Sequence, residues 1–157
     1  MNSKTTLKII LFISILILIS AYFIEYILDY KPCNLCLYER LPYFFSITII
    51  ILNFSINKFN KSTYILLSII FASGAILSFY HFGIEQGFFQ ESLACISNND
   101  INSLTKEDIM KELQKNVVSC KDVQFTFLGF SLATINTIIS LILSAITLKL
   151  FIKYEKN

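Results

Sequence analysis

Charge and histidine are scarce in this sequence, and each scarcity narrows the range of functions. Charged residues make up 15% of the 157 residues, whereas a soluble domain carries roughly 25%, so a soluble fold is disfavoured. The single histidine, His81, excludes a haem held by two histidines, and there is no Cys-x-x-Cys-His motif for covalent haem attachment. The sequence has no G-x-G-x-x-G fingerprint for a dinucleotide. Its scattered net charge of +2 gives no sign of nucleic-acid binding.

Long apolar runs are what the chain has in abundance. They cover residues 7–28, about 41–56, about 62–82 and about 125–148. At about 1.5 Å per residue the first run extends roughly 33 Å, which crosses a hydrocarbon core of roughly 30 Å. A cleaved signal peptide is the alternative for this run, but the run is longer than a signal h-region and no small-x-small cleavage site follows it. The pattern predicts one domain with four membrane-spanning helices.

The placement of lysines predicts the orientation of the four spans. Both termini and the short turn at 57–61 lie on one side, where lysines cluster close to the spans. These lysines are Lys4, Lys8, Lys58, Lys61, Lys149, Lys153 and Lys156. Lysines in short loops favour the cytoplasm, so both termini are predicted to be cytoplasmic. The two other loops then face the opposite compartment.

All four cysteines lie in these two outer loops. Cys33 and Cys36 are in the first loop, and Cys95 and Cys120 are in the second. Disulfides persist outside the cytosol and are rare inside it. The cysteine placement therefore agrees with the orientation that the lysines predict.

The second outer loop also carries a helix signal. A capping-box pattern at 105–108 is followed by apolar residues at helical spacing up to residue 117. This pattern predicts a short amphipathic helix, which lies on the membrane surface or is an ordinary solvated loop helix.

Cys33 and Cys36 form a Cys-x-x-Cys pair directly before a span. Such a pair closes a short, labile disulfide, and a helix N-terminus favours a thiolate over a thiol. Arg40 lies about one helical turn after Cys36, where its guanidinium would stabilise a thiolate or a reduced, anionic acceptor. Half of a zinc site and a structural disulfide are the alternatives, and the wider spacing of Cys95 and Cys120 weakens the zinc interpretation.

A redox pair also needs an electron acceptor, and a lipid-soluble quinone would serve without a tight binding motif.

Three segments resemble the DsbB family, the disulfide bond formation protein B family. Residues 31–40, Lys-Pro-Cys-Asn-Leu-Cys-Leu-Tyr-Glu-Arg, followed by Pro-Tyr at 42–43, are similar to the family's Pro-Cys-x-Leu-Cys…Arg-x-Pro-Tyr signature. Residues 80–85, Tyr-His-Phe-Gly-Ile-Glu, are similar to its Tyr-His-x-Gly-x-Glu, and Cys120 with residues 127–133 resembles its entry to the fourth span. The likeness covers nearly the whole chain. The chain departs from the family in having no tryptophan and no Gly-Pro before Cys95, which leaves the choice of partner open.

The resemblance implies an all-α, integral membrane four-helix bundle that occupies residues 1–157 as one domain. It places this bundle in the bacterial inner membrane, with both cysteine loops in the periplasm. The implied activity is that of a protein-dithiol:quinone oxidoreductase, which re-oxidises a periplasmic DsbA-like partner with a thioredoxin fold. Ubiquinone or menaquinone would accept the electrons, and Arg40 and His81 would bind its head group; an interfacial histidine with no ligand role is the alternative for His81. Neither a metal nor a nucleic-acid partner is expected.

The resemblance also implies the order in which the cysteines act. Cys95 would form the mixed disulfide with the partner protein, and Cys120, once released, would attack Cys33. Cys36 would be the thiolate that faces the quinone.

Three other interpretations of the cysteines stay open at this point. A quinone reductase similar to vitamin K epoxide reductase is the first, although its Cys-x-x-Cys is expected late in the chain. A non-enzymatic membrane protein with two structural disulfides is the second. A metal site built from the four cysteines and His81 is the third.

Overall fold

Four long helices account for most of the chain in this computed structural model, which describes residues 3–56, 61–90, 95, 119–121, 123 and 125–155. The helices are α1 (Ser3–Tyr26), the short α2 (Asn34–Tyr38), α3 (Leu41–Ile56), α4 (Lys61–Glu85) and α5 (Leu132–Glu155). Four segments are long and apolar enough to cross a membrane: Lys4–Tyr26, Asn34–Ile56, Lys61–Glu85 and Leu132–Lys153. The predicted architecture, a mostly helical chain with four spans, is therefore confirmed.

The second span is interrupted near its start. Helix α2 ends at Tyr38, and α3 begins at Leu41 with Pro42 in its first turn. A proline is tolerated there, because the N–H groups of the first turn have no intrahelical partner. The Phe44 N–H donates to the Arg40 carbonyl at 3.2 Å. Pro42 thus marks the start of a helix, and the residues before it form a tight turn between α2 and α3.

A two-stranded hairpin stands where the fourth span was predicted to begin. Its strands, β1 (Thr126–Phe127) and β2 (Phe130–Ser131), pair antiparallel. Leu128 (φ 53°) and Gly129 (φ 84°) form the turn, since positive φ at both central residues closes a two-residue hairpin. Ser131 then caps α5, because its Oγ accepts a backbone N–H of the first helical turn at 3.2 Å. The predicted start at about residue 125 was wrong, since a short apolar run does not distinguish strand from helix.

Helix α4 is the centre of the packing. It packs most extensively on α5 and also contacts α3, which in turn packs on α1. Across the α4–α5 contact, Ser68 Oγ donates to the Ser144 carbonyl at 3.3 Å and Ser144 Oγ donates to the Ser68 carbonyl at 3.2 Å. Small side chains of this kind let membrane helices approach closely. The apolar core comprises Leu7, Ile10, Leu18, Tyr43, Ile50, Tyr64, Leu67, Phe71 and Leu143.

Large apolar side chains cover much of the outside of the bundle. Phe12, Ile69, Ile76 and Leu141 are examples of residues that are more than half exposed. An apolar surface of this extent marks contact with another molecule or with a membrane. It suits lipid tails, as four spanning helices require.

Two of the predicted features lie outside the described residues. They are the amphipathic helix of the second outer loop, predicted at about 105–117, and most of the turn at 57–61.

Gly74 lets α3 and α5 approach α4, and its replacement tests this packing. A Cβ at this position would lie 3.1 Å from Pro42 Cγ and 3.6 Å from Ser140 Oγ. We expect Gly74→Val to lower the free energy of unfolding by about 1–3 kcal/mol, the usual cost of overpacking, seen as a lower Tm in detergent. Ser73→Val, at an exposed position on the same helix, is the matched control and should change Tm little. Equal losses in the two variants would contradict the close approach.

Candidate functional site

Cys33 and Cys36 meet at the start of α2. Cys33 is the N-cap of this helix, and its Sγ accepts the Cys36 backbone N–H at 3.3 Å. The two sulfur atoms are 2.7 Å apart. Cys33 is buried, whereas Cys36 is partly exposed. The pair therefore has an inner thiol that faces the bundle and an outer thiol that reaches the surface.

The two cysteines of the second outer loop join this pair. The buried members of the shared cluster are Cys33, Leu35, Ile84, Cys95 and Cys120, and Cys36 packs against them. Cys120 is the link, since it packs with Cys33 and Cys95 and its thiol interacts with both. The sulfur contacts therefore run in the order Cys36, Cys33, Cys120, Cys95. The sequence placed these residues in two loops on one side, and the structure brings the two loops into contact.

The environment of Cys120 disfavours its thiolate. The hydrogen bond with Cys33 raises the pKa of the Cys120 thiol well above its ordinary range, and burial raises it further. The contact with Cys95 and a backbone hydrogen bond from Leu35 act in the opposite direction and are outweighed. A protonated thiol is a poor nucleophile, so these surroundings disfavour attack by Cys120 while Cys33 and Cys95 are thiols.

His81 lies directly behind Cys33, near the end of α4. Its Nε2 is 3.5 Å from Cys33 Sγ, and its Nδ1 is 2.7 Å from Glu39 Oε1. The residue is only 3% exposed, so both ring nitrogens are engaged inside the protein. Glu85, one turn further along α4, places its Oε1 3.9 Å from His81 Nε2. Its buried Oε2 has no hydrogen-bond partner among the described residues.

Glu39 is the polar centre of this end of the bundle. Its second oxygen, Oε2, accepts a hydrogen bond from Asn136 Nδ2 at 2.8 Å. Asn136 also donates to Ser78 Oγ at 2.6 Å and accepts a hydrogen bond from the Tyr43 hydroxyl. The Tyr43 hydroxyl contacts Ser140 Oγ at 2.9 Å. These contacts connect α3, α4 and α5 to the turn between α2 and α3.

Glu39 and Asn136 were not assigned a role from the sequence. Two signals pointed to them: Glu39 stands next to Arg40 in the Cys-x-x-Cys segment, and Asn136 is an amide inside an apolar span. Polar side chains within a span are usually paired and functional. The sequence does not show that these two residues are partners.

Arg40 is held by α1 and not by the buried network. Its Nη1 donates to Glu25 Oε2 at 2.5 Å, and its guanidinium carbon lies 4.9 Å from the centre of the Tyr22 ring. The Arg40 side chain is 12% exposed. The two residues expected from the sequence to bind one ligand therefore have different neighbours: Arg40 contacts α1, and His81 contacts Cys33 and Glu39.

Three side chains of the site stand close enough to hold a metal ion. The nearest ligand atoms of Cys33, Cys36 and His81 all lie within 4.8 Å of one another. A resident metal would occupy both thiols of the Cys-x-x-Cys pair and prevent them from exchanging. The contact of Cys33 with Cys120, and the Glu39 carboxylate behind His81, suit thiol exchange as well as they suit a metal site.

Comparisons with known proteins agree with these features. Residues 3–150 match the protein family described as disulfide bond formation protein DsbB. The chain is 36% identical over 151 residues to "Uncharacterized protein RP370" of Rickettsia prowazekii (strain Madrid E), covering 95% of this chain and 87% of that protein. It is 28% identical over 156 residues to the SPbeta prophage-derived disulfide bond formation protein B of Bacillus subtilis (strain 168), covering 98% and 90% of the two chains.

The contact between Cys120 and Cys33 is open to a direct test in the fully reduced protein. Because the Cys33 hydrogen bond raises the pKa of Cys120, we expect Cys120 to be alkylated only at a pH above the range of an ordinary thiol. Cys33→Ala should move the onset of Cys120 alkylation to lower pH. Mass spectrometry of the labelled peptide measures both onsets. The same onset with and without Cys33 would show that burial alone protects Cys120.

Proposed function

The chain belongs to the DsbB family, and on that premise we propose that it re-oxidises a DsbA-type dithiol protein and passes the electrons to a membrane quinone. The observation that carries the proposal is the continuous series of sulfur contacts from Cys95 through Cys120 and Cys33 to Cys36. A relay needs each donor within reach of its acceptor. Two structural disulfides in separate loops would not need contact between Cys120 and Cys33.

In this relay each step is the attack of a thiolate on a disulfide sulfur. A partner thiolate attacks Cys95 of the Cys95–Cys120 disulfide, and Cys120 leaves. Cys120 then attacks Cys33 of the Cys33–Cys36 disulfide, and Cys36 leaves with the electron pair. The second partner thiol releases Cys95, which attacks Cys120 and frees Cys33. The net result is an oxidised partner, a restored Cys95–Cys120 disulfide and a reduced Cys33–Cys36 pair.

The surroundings of Arg40 fit a quinone head group. A quinone offers carbonyl oxygens that accept hydrogen bonds, and a guanidinium has five N–H donors, of which Arg40 uses Nη1 on Glu25. The Tyr22 ring beside it supplies an aromatic surface. A quinone bound there would supply the two-electron oxidation that regenerates the Cys33–Cys36 disulfide. Ubiquinone and menaquinone share these features. The quinone contact predicted for His81 stays a prediction.

The helices and the family make this a multi-pass membrane protein, and we place it in the bacterial inner membrane. The lysine pattern supports cytoplasmic termini, and Lys61 at the start of α4 lies over the Phe151 ring near the end of α5, at 5.0 Å. The cysteine cluster involves the opposite end of α4, where His81 and Ile84 lie. The relay would then face the periplasm, where a DsbA-like partner with a thioredoxin fold would meet it.

Quinone reduction in detergent tests the relay. The purified protein is mixed with a reduced DsbA-type dithiol protein and a water-soluble quinone. We expect turnover in the unsubstituted protein and none in Cys36→Ser or Cys95→Ser, because each lacks one sulfur of the relay. Ser73→Ala, at an exposed position on α4, should turn over normally. Two disulfides that persist in the presence of reduced partner would instead support a structural role.

Substitution of Arg40 tests the quinone site separately. Arg40→Met keeps the apolar stem but removes every donor, so the KM for quinone should rise by about 10- to 100-fold, the value of one hydrogen bond to a charged group. Thiol exchange with the partner in the absence of quinone should be unchanged. Lys31→Met, which removes a basic group from an exposed position, is the matched control. A normal KM in Arg40→Met would remove Arg40 from the quinone site.

A further inference from the structure

We propose that His81 moves the proton of the Cys33 thiol during thiol exchange, and that Glu39 holds the ring in the orientation this requires. The inference rests on the proposed relay, within which it assigns a catalytic residue. It gives His81 a use that differs from the quinone contact implied by the resemblance, because the atom it touches is the reacting sulfur.

The two nitrogens of His81 have different partners, and this difference defines their roles. Nδ1 lies 2.7 Å from Glu39 Oε1, and a carboxylate oxygen accepts hydrogen bonds. The ring hydrogen therefore belongs on Nδ1, which leaves the lone pair of Nε2 directed at Cys33 Sγ, 3.5 Å away. An acid on one ring nitrogen fixes the tautomer presented by the other. The arrangement is that of a base aimed at a thiol.

The burial of Cys33 gives such a base a purpose. Cys33 is 5% exposed, and an anion with no access to water is costly unless it is paired. Cys33 leaves as a thiolate when Cys95 attacks Cys120 of the Cys33–Cys120 disulfide. Nε2 first takes up one of the two protons that the partner dithiol loses when it is oxidised, which makes the ring an imidazolium. Transfer of that proton from His81 Nε2 to Cys33 Sγ breaks an N–H bond, forms an S–H bond and removes the buried charge. The reverse transfer makes Cys33 a thiolate, the form that bonds to Cys36 when the reduced pair is oxidised again. Neither proton transfer moves electrons.

The acids around the ring let it hold the proton without water. Glu39 and Glu85 both approach His81, from the turn after α2 and from α4 respectively. An imidazolium between two acids is compensated inside the bundle, whereas one in an apolar pocket would not be. The titratable groups that face the pair from the described elements are Glu39, Glu85, Cys36 and Cys120. Any pH dependence of Cys33 therefore involves these groups as well.

Asn136 holds Glu39 in place by a further hydrogen bond. It donates to the Glu39 oxygen that does not face His81, at 2.8 Å, and is itself held by Ser78 and Tyr43. Without this donor, Glu39 Oε2 would be buried and unpaired, and the carboxylate would be free to turn away from the ring. Glu39 and Asn136 are thus positioning residues, and His81 alone touches the sulfur.

The single histidine makes the proton visible in the unsubstituted protein. Labelling with ¹⁵N-histidine gives one pair of ring nitrogen signals, those of His81. In oxidised, quinone-free protein in detergent we expect a neutral ring with its hydrogen on Nδ1, and Glu39→Gln should shift that hydrogen away from Nδ1. In reduced protein, Cys33→Ala should change the Nε2 signal more than the Nδ1 signal, because it removes the sulfur that Nε2 faces at 3.5 Å. A neutral ring with its hydrogen on Nε2, or an Nε2 signal unaffected by Cys33→Ala, would overturn the proposal.

Exchange kinetics without quinone supply the second measurement. Oxidised protein is mixed with reduced partner, quenched, and assayed for the appearance of the Cys33 thiol, because Cys36 is released one step before Cys33 takes its proton. His81→Gln should slow this step near neutral pH by on the order of 100-fold, the scale of general acid–base catalysis, and should make the rate more dependent on pH. Tyr80→Phe is the control. It keeps the aromatic ring next to His81 in the sequence and removes only the hydroxyl that donates to the Gln90 carbonyl, so this variant should exchange normally.

The outcomes separate this inference from the function on which it rests. If the unsubstituted protein shows no exchange with the partner, the relay itself fails. If it exchanges and His81→Gln exchanges equally fast, with only the KM for quinone raised, the proton role is wrong and His81 belongs to the quinone site. If His81→Gln does not fold, the ring signals of the unsubstituted protein decide the question.

Discussion

The burial of the Glu39 carboxylate among apolar helices is the most demanding constraint in this bundle. An acid in such a place is costly unless both oxygens are paired, and its two partners come from different helices, His81 on α4 and Asn136 on α5. The hydrogen bonds that make this burial tolerable are therefore the ones that hold α4 and α5 against the turn after α2. Since that turn begins at Glu39, three residues after Cys36, the packing of the helices and the position of the thiols depend on the same few bonds.

Neighbouring residues in that turn serve different surroundings. Glu39 joins the buried network, while Arg40 pairs with Glu25 and lies over Tyr22 on α1. The two adjacent residues thus separate the buried surroundings of the cysteines from an aromatic, partly exposed site at α1. In the proposed relay, electrons would pass from the first to the second through Cys36, the partly exposed cysteine of the Cys-x-x-Cys pair.

The sequence predicts those parts of the structure that depend on residues close together in the chain. Long apolar runs predict the spans because the bilayer imposes their length, and Cys33, Cys36 and Arg40 lie within two helical turns of one another. The partnership of Glu39 with Asn136, 97 residues apart, has no local pattern, and neither has the contact of Cys120 with Cys33. The hairpin at Thr126–Ser131 was missed because its residues are as apolar as those of the helix that follows. The resemblance to a family brought the four cysteines together before any geometry did, but it left Glu39 and Asn136 without a role.

The N-cap position of Cys33 has a consequence for the backbone. The Cys33 sulfur accepts the Cys36 N–H in the first turn of α2. In the proposed relay the same sulfur changes its bonding partner, so the cap of this five-residue helix would be altered in every cycle. A thiolate, a thiol and a disulfide sulfur accept a hydrogen bond with decreasing strength. The local stability of α2 would then depend on the oxidation state of the Cys33–Cys36 pair. The conformational order of the turn that carries Glu39 and Arg40 would depend on it too. A change in the oxidation state of the Cys33–Cys36 pair would then reach the bundle by two routes, the backbone of α2 and the side-chain contact of Cys33 with His81.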